Sequence, residues 1–211
     1  MGSSLEEGFE MLTAGLGGQP AQEQLELSED ARLVGAARDG DRAAFGRLYD
    51  RYARMVHGIL LAKAPIAAVD DLVQDVFVLA LRRLSTLREV ASFGAWLAAI
   101  ARNLAKDHYR RSAPEEQLTV DVTDEEMELR AGGGDQEAAA NLILDAIKSL
   151  PDAYREPLIL RLVEGMTGPE IAARTGLTPG SVRVNLHRGM QQLRAMLSPS
   201  PGRPGQEGPE S

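Results

Sequence analysis

Apolar residues recur at three- and four-residue intervals through two long stretches of this 211-residue chain, and no stretch sustains a two-residue alternation. Ala43, Leu48, Tyr52, Val56 and Leu60 fall on one helical face, and Asp41 stands just upstream as an N-cap. After Pro65, a second amphipathic helix is marked by Leu72, Val76, Phe77, Leu79, Ala80 and Leu84. A third opens with Ser92 as N-cap and runs through Trp96, Leu97, Ile100 and Leu104 toward Arg111, with Pro114 shortly beyond. Further on, Leu142, Ile143, Ala146 and Ile147 mark a helix that ends near Leu150-Pro151, and another spans roughly Ala153 to Val163 and stops at Gly165. The pattern predicts an all-α fold. Phe93, Trp96 and His57 read as helix-packing residues.

Residues 167–187 carry a sharper signal. Thr167 and Glu170 stand in capping-box spacing, with Pro169 in the first turn. Ile171 and Ala172 face inward, and the small Ala172 lets a second helix come close. Gly176 sits where the chain must turn and can accept a positive φ. Thr178 caps the next helix, Pro179 takes its first position, and Val182 and Leu186 point back toward Ile171 and Leu177. This is a helix-turn-helix, the arrangement whose second helix enters a DNA major groove. Its outward positions hold Ser181, Arg183, Asn185, His187 and Arg188, hydrogen-bonding side chains suited to base edges and phosphates. The bland reading is a helical hairpin with a solvated face; the agreement of caps, turn and polar face favours DNA.

Composition narrows the class. With no Cys, disulfides and thiolate metal sites are excluded, as befits a reducing cytoplasm. No run approaches the ~18 apolar residues of a membrane span, so no membrane insertion is expected. The formal net charge of -8 conceals an alternation in sign: -7 over residues 1–30, +6 over 31–113, -8 over 114–137 and +2 over 138–197. The acidic stretches are also glycine-bearing, and the last 14 residues hold four Pro and three Gly. These features divide the chain into a flexible acidic extension (1–27), a helical domain (28–113), an acidic linker (114–137), a helix-turn-helix domain (138–197) and a Pro/Gly tail (198–211). The linker's 24 residues span roughly 27 Å as a relaxed coil and about 80 Å when stretched, so the domains can meet or part.

The first domain holds two charged motifs. Arg102, Lys106 and Arg110 fall at i, i+4 and i+8 on one face of the third helix, flanked by Asn103 and Arg111, with His108 and Tyr109 close by in sequence. Such a stripe suits a nucleic-acid backbone, although basic helix faces are often only solvated. Asp70, Asp71, Gln74 and Asp75 lie in the run DDLVQD. Carboxylates of this kind could hold Mg²⁺ against a diphosphate, but no second metal-binding cluster is evident and the domain is too small to enclose a prenyl chain. Favourable charges at a helix N-terminus, or a docking face for a basic partner, are the other readings. Docking is the better account, with no metal and no cofactor expected.

Taken together, ARDGDRAAFGRLYDRYARMVHGIL, DDLVQDVFVLALRRL and SFGAWLAAIARNLAKDHYRR, followed by LPDAYREPLILRLVEGMTGPEIAARTGLTPGSVRVNLHRGMQQLR, resemble a bacterial RNA polymerase sigma factor of the extracytoplasmic-function group. The likeness spans roughly residues 31–112 and 138–197, with a linker between. It implies a non-enzymatic, cytoplasmic protein that binds core RNA polymerase and directs promoter recognition, DNA melting and initiation. It further implies that Asp70, Asp71, Gln74 and Asp75 dock on the β′ clamp helices, with the β flap a second polymerase contact. By the same likeness Arg102, Asn103 and Lys106, with Arg110 next on their face, engage the minus-ten element. Arg183, Asn185, His187 and Arg188, with Ser181, read the minus-thirty-five element, and an anti-sigma factor is an expected partner. Asn185 stands where the family often has Arg, and Gly189-Met190 where it often has Ala-Arg. The runner-up is a stand-alone helix-turn-helix regulator, which leaves DDLVQD and the basic stripe without a role. A diphosphate enzyme and a regulator that has lost DNA contact are weaker rivals.

Overall fold

The computed structural model describes residues 20–112 and 135–197, with side chains from Glu29 to Arg111 and from Ala140 to Leu197. Most of the segments read as flexible, namely 1–19, 114–134 and 198–211, lie outside the described residues. Eight α-helices account for most of the described residues, among which no strand occurs.

The first is α1, Pro20–Arg38, which the hydrophobic pattern did not announce. It begins inside the stretch read as a flexible extension, so the boundary drawn at 27/28 cuts through a helix. Where its side chains are described, from Glu29 onward, the buried apolar residues are Leu33, Val34 and Ala37, too short a run to show as a stripe in the sequence. Tertiary contacts hold it instead. Arg51 reaches Asp30 at 2.6 Å and Glu29 at 2.5 Å, and the Tyr52 hydroxyl donates to Asp30 at 2.5 Å. Arg38 donates to the Leu84 carbonyl at 3.1 Å and to that of Leu87.

Helix α2, Arg42–Leu61, starts where expected: the Asp41 carboxylate accepts from the amides of Ala43 and Ala44 at 2.8 and 3.0 Å. It runs through the centre of the molecule, burying Leu48, Tyr52, Met55, Val56, Ile59 and Leu60 against its neighbours. A 3-10 turn at Ile66–Ala68 leads into α3, Val69–Arg83, with Asp70 and Asp71 in its first turn and Arg82 and Arg83 in its last. That arrangement of charges suits the helix dipole. Another 3-10 turn, Val90–Ser92, precedes α4, Phe93–Ser112. Phe93 is fully buried and Trp96 packs on the core. Phe93 meets Tyr52 with ring centroids 5.2 Å apart.

In the second module, α5 (Asp135–Lys148) and α6 (Asp152–Leu162) are followed by Gly165 at φ +66°, which ends that run. Helix α7, Gly168–Thr175, opens with the expected capping box: the Glu170 amide donates to the Thr167 hydroxyl at 3.3 Å and the Thr167 amide to Glu170 at 2.7 Å. Gly176 turns the chain at φ +76°, and α8, Pro179–Leu197, follows with Thr178 accepting from the Ser181 amide at 3.1 Å. Val182 and Leu193 are buried, and Gly189 lets α8 press on α6, where a Cβ would lie 2.8 Å from Leu158 Cδ1.

The apolar side chains of both modules join one buried cluster, in which α6 and α7 seat on α2 and α4. Loss of the Thr167 cap in Thr167→Ala is expected to lower stability by about 1 kcal/mol, read as a lower urea midpoint with an unchanged slope.

Candidate nucleic-acid interface and the seam between modules

On α8 the residues singled out from the sequence face outward as a group. Ser181, Arg183, His187 and Arg188 are exposed and Asn185 is half-exposed. Arg183, Val184, His187 and Arg188 line a shallow depression on this face. The capping box, the left-handed Gly176 and the Thr178 cap fix the angle at which α8 is presented. Burial acts to raise the Glu170 carboxyl, but hydrogen bonds from the Thr167 amide and hydroxyl, helped by Arg174 and Arg54, hold it below its ordinary value. The cap is therefore ionised at neutral pH, when its acceptor strength is greatest.

Asp70, Asp71, Gln74 and Asp75 are exposed on the first two turns of α3, while Val69, Leu72, Val73, Val76 and Phe77 are buried on the opposite side. The acidic motif thus stands on the core without entering it.

The basic stripe of α4 is divided. Asn103, Lys106 and Arg110 are exposed, and Arg110 lies 3.7 Å from Asp107. Arg102 is drawn into the seam between the modules. Its Nε lies 3.2 and 3.1 Å from the two carboxylate oxygens of Glu156, its Nη2 lies 2.7 Å from Oε1, and Nη2 also donates to the Thr175 carbonyl at 3.3 Å. Lys63 stands 3.9 Å from both Glu156 and Asp152.

Glu156 and Glu164 are buried acids that sequence reasoning passed over. An acidic residue is read by default as solvent-facing. The available signal was spacing: Glu156, Leu160 and Glu164 fall at i, i+4 and i+8, so two carboxylates bracket a core leucine on one stripe. Against that stripe α2 offers Gly58, where a Cβ would lie 2.7 Å from Leu160 Cδ2 and 2.8 Å from Glu164 Cγ. His57 Nδ1 lies 2.6 Å from Glu164 Oε1. His57 therefore packs in the seam as a charge partner as well as a spacer. The hydrogen bond to Glu164 raises its imidazole above the ordinary value; burial opposes this, and the negative charges of Glu164 and Asp70 add to it.

Backbone carbonyls complete the seam. Arg155 donates to Ala62 O at 3.4 Å and Lys148 to Ala64 O at 3.5 Å, placing cations at the C-terminal end of α2, where carbonyls lack helical partners. Arg174 donates to Arg51 O at 3.1 Å, with its guanidinium 5.8 Å from the Tyr52 ring centroid.

A two-module helical chain whose capped helix-turn-helix presents a polar, cation-bearing face belongs to the class of helix-turn-helix proteins. Two family models match in order: "Sigma-70 region 2" over residues 48–115 and "Sigma-70, region 4" over 140–193. The chain is 34% identical to the RNA polymerase sigma factor CnrH of Cupriavidus metallidurans, over 80% of this chain and 94% of that protein. It is 32% identical to the sigma factor CarQ of Myxococcus xanthus, over 76% and 92% respectively. It is also 34% identical to the ECF sigma factor BldN of Streptomyces coelicolor, over 81% and 67%. The solved structure of CnrH in complex with the cytosolic domain of CnrY aligns with a TM-score of 0.54 at 29% identity, over 80% of this chain and 97% of that one. The chain belongs to the extracytoplasmic-function group of RNA polymerase sigma factors, which direct promoter-specific transcription initiation. Such factors bind RNA polymerase and promoter DNA and are regulators, not catalysts. Among the described residues no helix is long and apolar enough to cross a membrane.

The raised imidazole sets a pH dependence. The stabilisation from protonated His57 is fully present below its ordinary value of 6.5 and is lost as pH rises through the raised value. As pH rises from below 6.5 through the raised value, the thermal midpoint of the wild type is expected to fall relative to that of His57→Gln, the gap closing at the alkaline end.

Proposed function

We propose that the two modules divide promoter recognition between them, with residues 28–113 acting as the docking and minus-ten domain and 138–197 as the minus-thirty-five domain. The observation that carries this reading is the joint placement of the two motifs. The α8 polar face and the α3 acidic face are both exposed, on modules that match the two sigma regions in order. Asp70, Asp71, Gln74 and Asp75 dock on the β′ clamp helices of core polymerase, and the second module meets the β flap. Arg102, Asn103, Lys106 and Arg110 engage the minus-ten element. Ser181, Arg183, Asn185, His187 and Arg188 read the minus-thirty-five element in the major groove.

The physical logic is a shift of populations. Holding the non-template strand single-stranded, with a base out of the stack, offsets an unstacking cost of a few kcal/mol. Each bidentate contact to an upstream base adds about 1–3 kcal/mol of discrimination. No hydrolysis by this chain is required, since melting draws on binding energy in the holoenzyme. The protein works in the cytoplasm, and an anti-sigma factor is its regulatory partner. The complex of CnrH with the cytosolic domain of CnrY supports a partner of that kind.

Run-off transcription with bacterial core polymerase on a promoter library tests the whole reading: the wild type should select a promoter class that core polymerase alone does not. Arg183→Ala with Arg188→Ala should weaken upstream-element footprints at least tenfold, about 1.4 kcal/mol, while polymerase binding survives. Asp71→Lys with Asp75→Lys should abolish co-purification with core polymerase; retained binding would refute the docking assignment.

A further inference from the structure

Arg102 is the one member of the α4 stripe that the second module covers, and the group that covers it is an acid. The side chain of Glu156 keeps 8% of its exposure, and both its oxygens face the Nε–Nη2 side of the Arg102 guanidinium. That side is a two-pronged donor that fits a carboxylate or a phosphate equally well, and it cannot serve both at once. The Thr175 carbonyl takes a further bond from the same nitrogen. The partners of Arg102, Glu156 and Thr175, thus lie on α6 and α7, while Asn103, Lys106 and Arg110 stay in solvent.

The seam that brings Glu156 to Arg102 is shaped for this register. At Gly58 a Cβ would overlap Leu160 and Glu164, and at Gly94 it would lie 2.7 Å from Arg174 O and 2.8 Å from Tyr52 Cε1. The left-handed Gly176 sits on Ala95, where its own Cβ would come within 2.8 Å of Ala95 Cβ. Close backbone approach at three places and two paired buried acids set the modules in one specific arrangement. Within it, the outward face of α8 remains exposed, so the docked chain engages one arginine of the α4 stripe and leaves the α8 face free.

We propose that Glu156 is the chain's own competitor for Arg102: an intramolecular latch in which the second module masks a nucleic-acid-binding arginine of the first. This rests on the assignment of Arg102 to DNA given above. The ligand that displaces Glu156 is a phosphate of single-stranded DNA, and its binding requires α6 and α7 to leave α2 and α4. Removing the acid, or wedging the seam, therefore frees Arg102 without altering any residue that touches DNA.

The absence of cysteine permits a direct test. Dyes on Arg82→Cys and Gln191→Cys, both exposed positions, report module separation in the full chain by energy transfer, in three backgrounds: wild type, Glu156→Gln and Gly58→Leu. The Gly58 change places a bulky side chain against Leu160 while favouring the α2 helix itself. Anisotropy of a fluorescent single-stranded DNA oligomer of random sequence reports access to Arg102. Both variants should lose energy transfer and bind the oligomer about tenfold more tightly, and the gain should vanish when Arg102→Ala is added. Unchanged energy transfer in both variants would overturn the latch. Separation of the modules without an Arg102-dependent gain would overturn the masking. None of these readouts involves polymerase, so failure of the promoter-recognition reading would show separately, as a chain that opens and closes as described yet directs no run-off transcription.

Discussion

When α6, the turn after it and α7 seat on α2 and α4, the carboxylates of Glu156 and Glu164 leave water, and the rest of the tertiary arrangement follows from how they are satisfied. A buried charge is tolerated only when it is paired and hydrogen-bonded. Arg102 and Lys63 gather around Glu156, and His57 meets Glu164. Leu160, between the two acids on the same stripe, fills the space left by Gly58. Apolar contact supplies the area of the seam, and the acids supply its register, because a shift along or around α6 would strand one of them. A seam built this way is specific without being very strong, since the ion pairs gain little over their solvated state.

The same chemistry accounts for the division of labour between faces. The helix-turn-helix presents α8 through local devices, namely a capping box, a left-handed glycine and a hydroxyl cap, none of which depends on the first module. The acidic turn of α3 is likewise presented by its own helix. Docking of the modules leaves both surfaces in solvent and takes only Arg102 from the α4 stripe. In the docked chain that guanidinium is held by the carboxylate of Glu156.

Much of this was legible in the sequence. Helices α2, α3, α4, α7 and α8 carry wide apolar stripes, and several of their ends are set by residues with a mechanical reason to be there: Asp41, Thr167, Gly176 and Thr178. Helix α1 was not legible. Its N-terminal half offers acids and glutamines without a stripe, and it is held by Asp30 bonding to Arg51 and Tyr52, 21 and 22 residues away. Of the candidate site, the outer face of α8 and the acidic turn of α3 could be read directly, since polar residues opposite an apolar stripe face water by default. Arg102 shares its stripe with Lys106 and Arg110, and nothing local separates it from them.

The sequence by itself determined the helical class, the two modules, the helix-turn-helix and the outward chemistry of α3 and α8. Capping, helix periodicity and turn geometry act over a few residues, and each is written in the residues concerned. The tertiary structure alone decided that His57 meets an acid 107 residues away, that Arg102 meets one 54 residues away, and that both acids are buried. Those outcomes depend on which helices come to lie together, and that is set by the fit of whole surfaces: a glycine opposite a leucine, a cation opposite an acid, and an arginine against the last carbonyls of a distant helix.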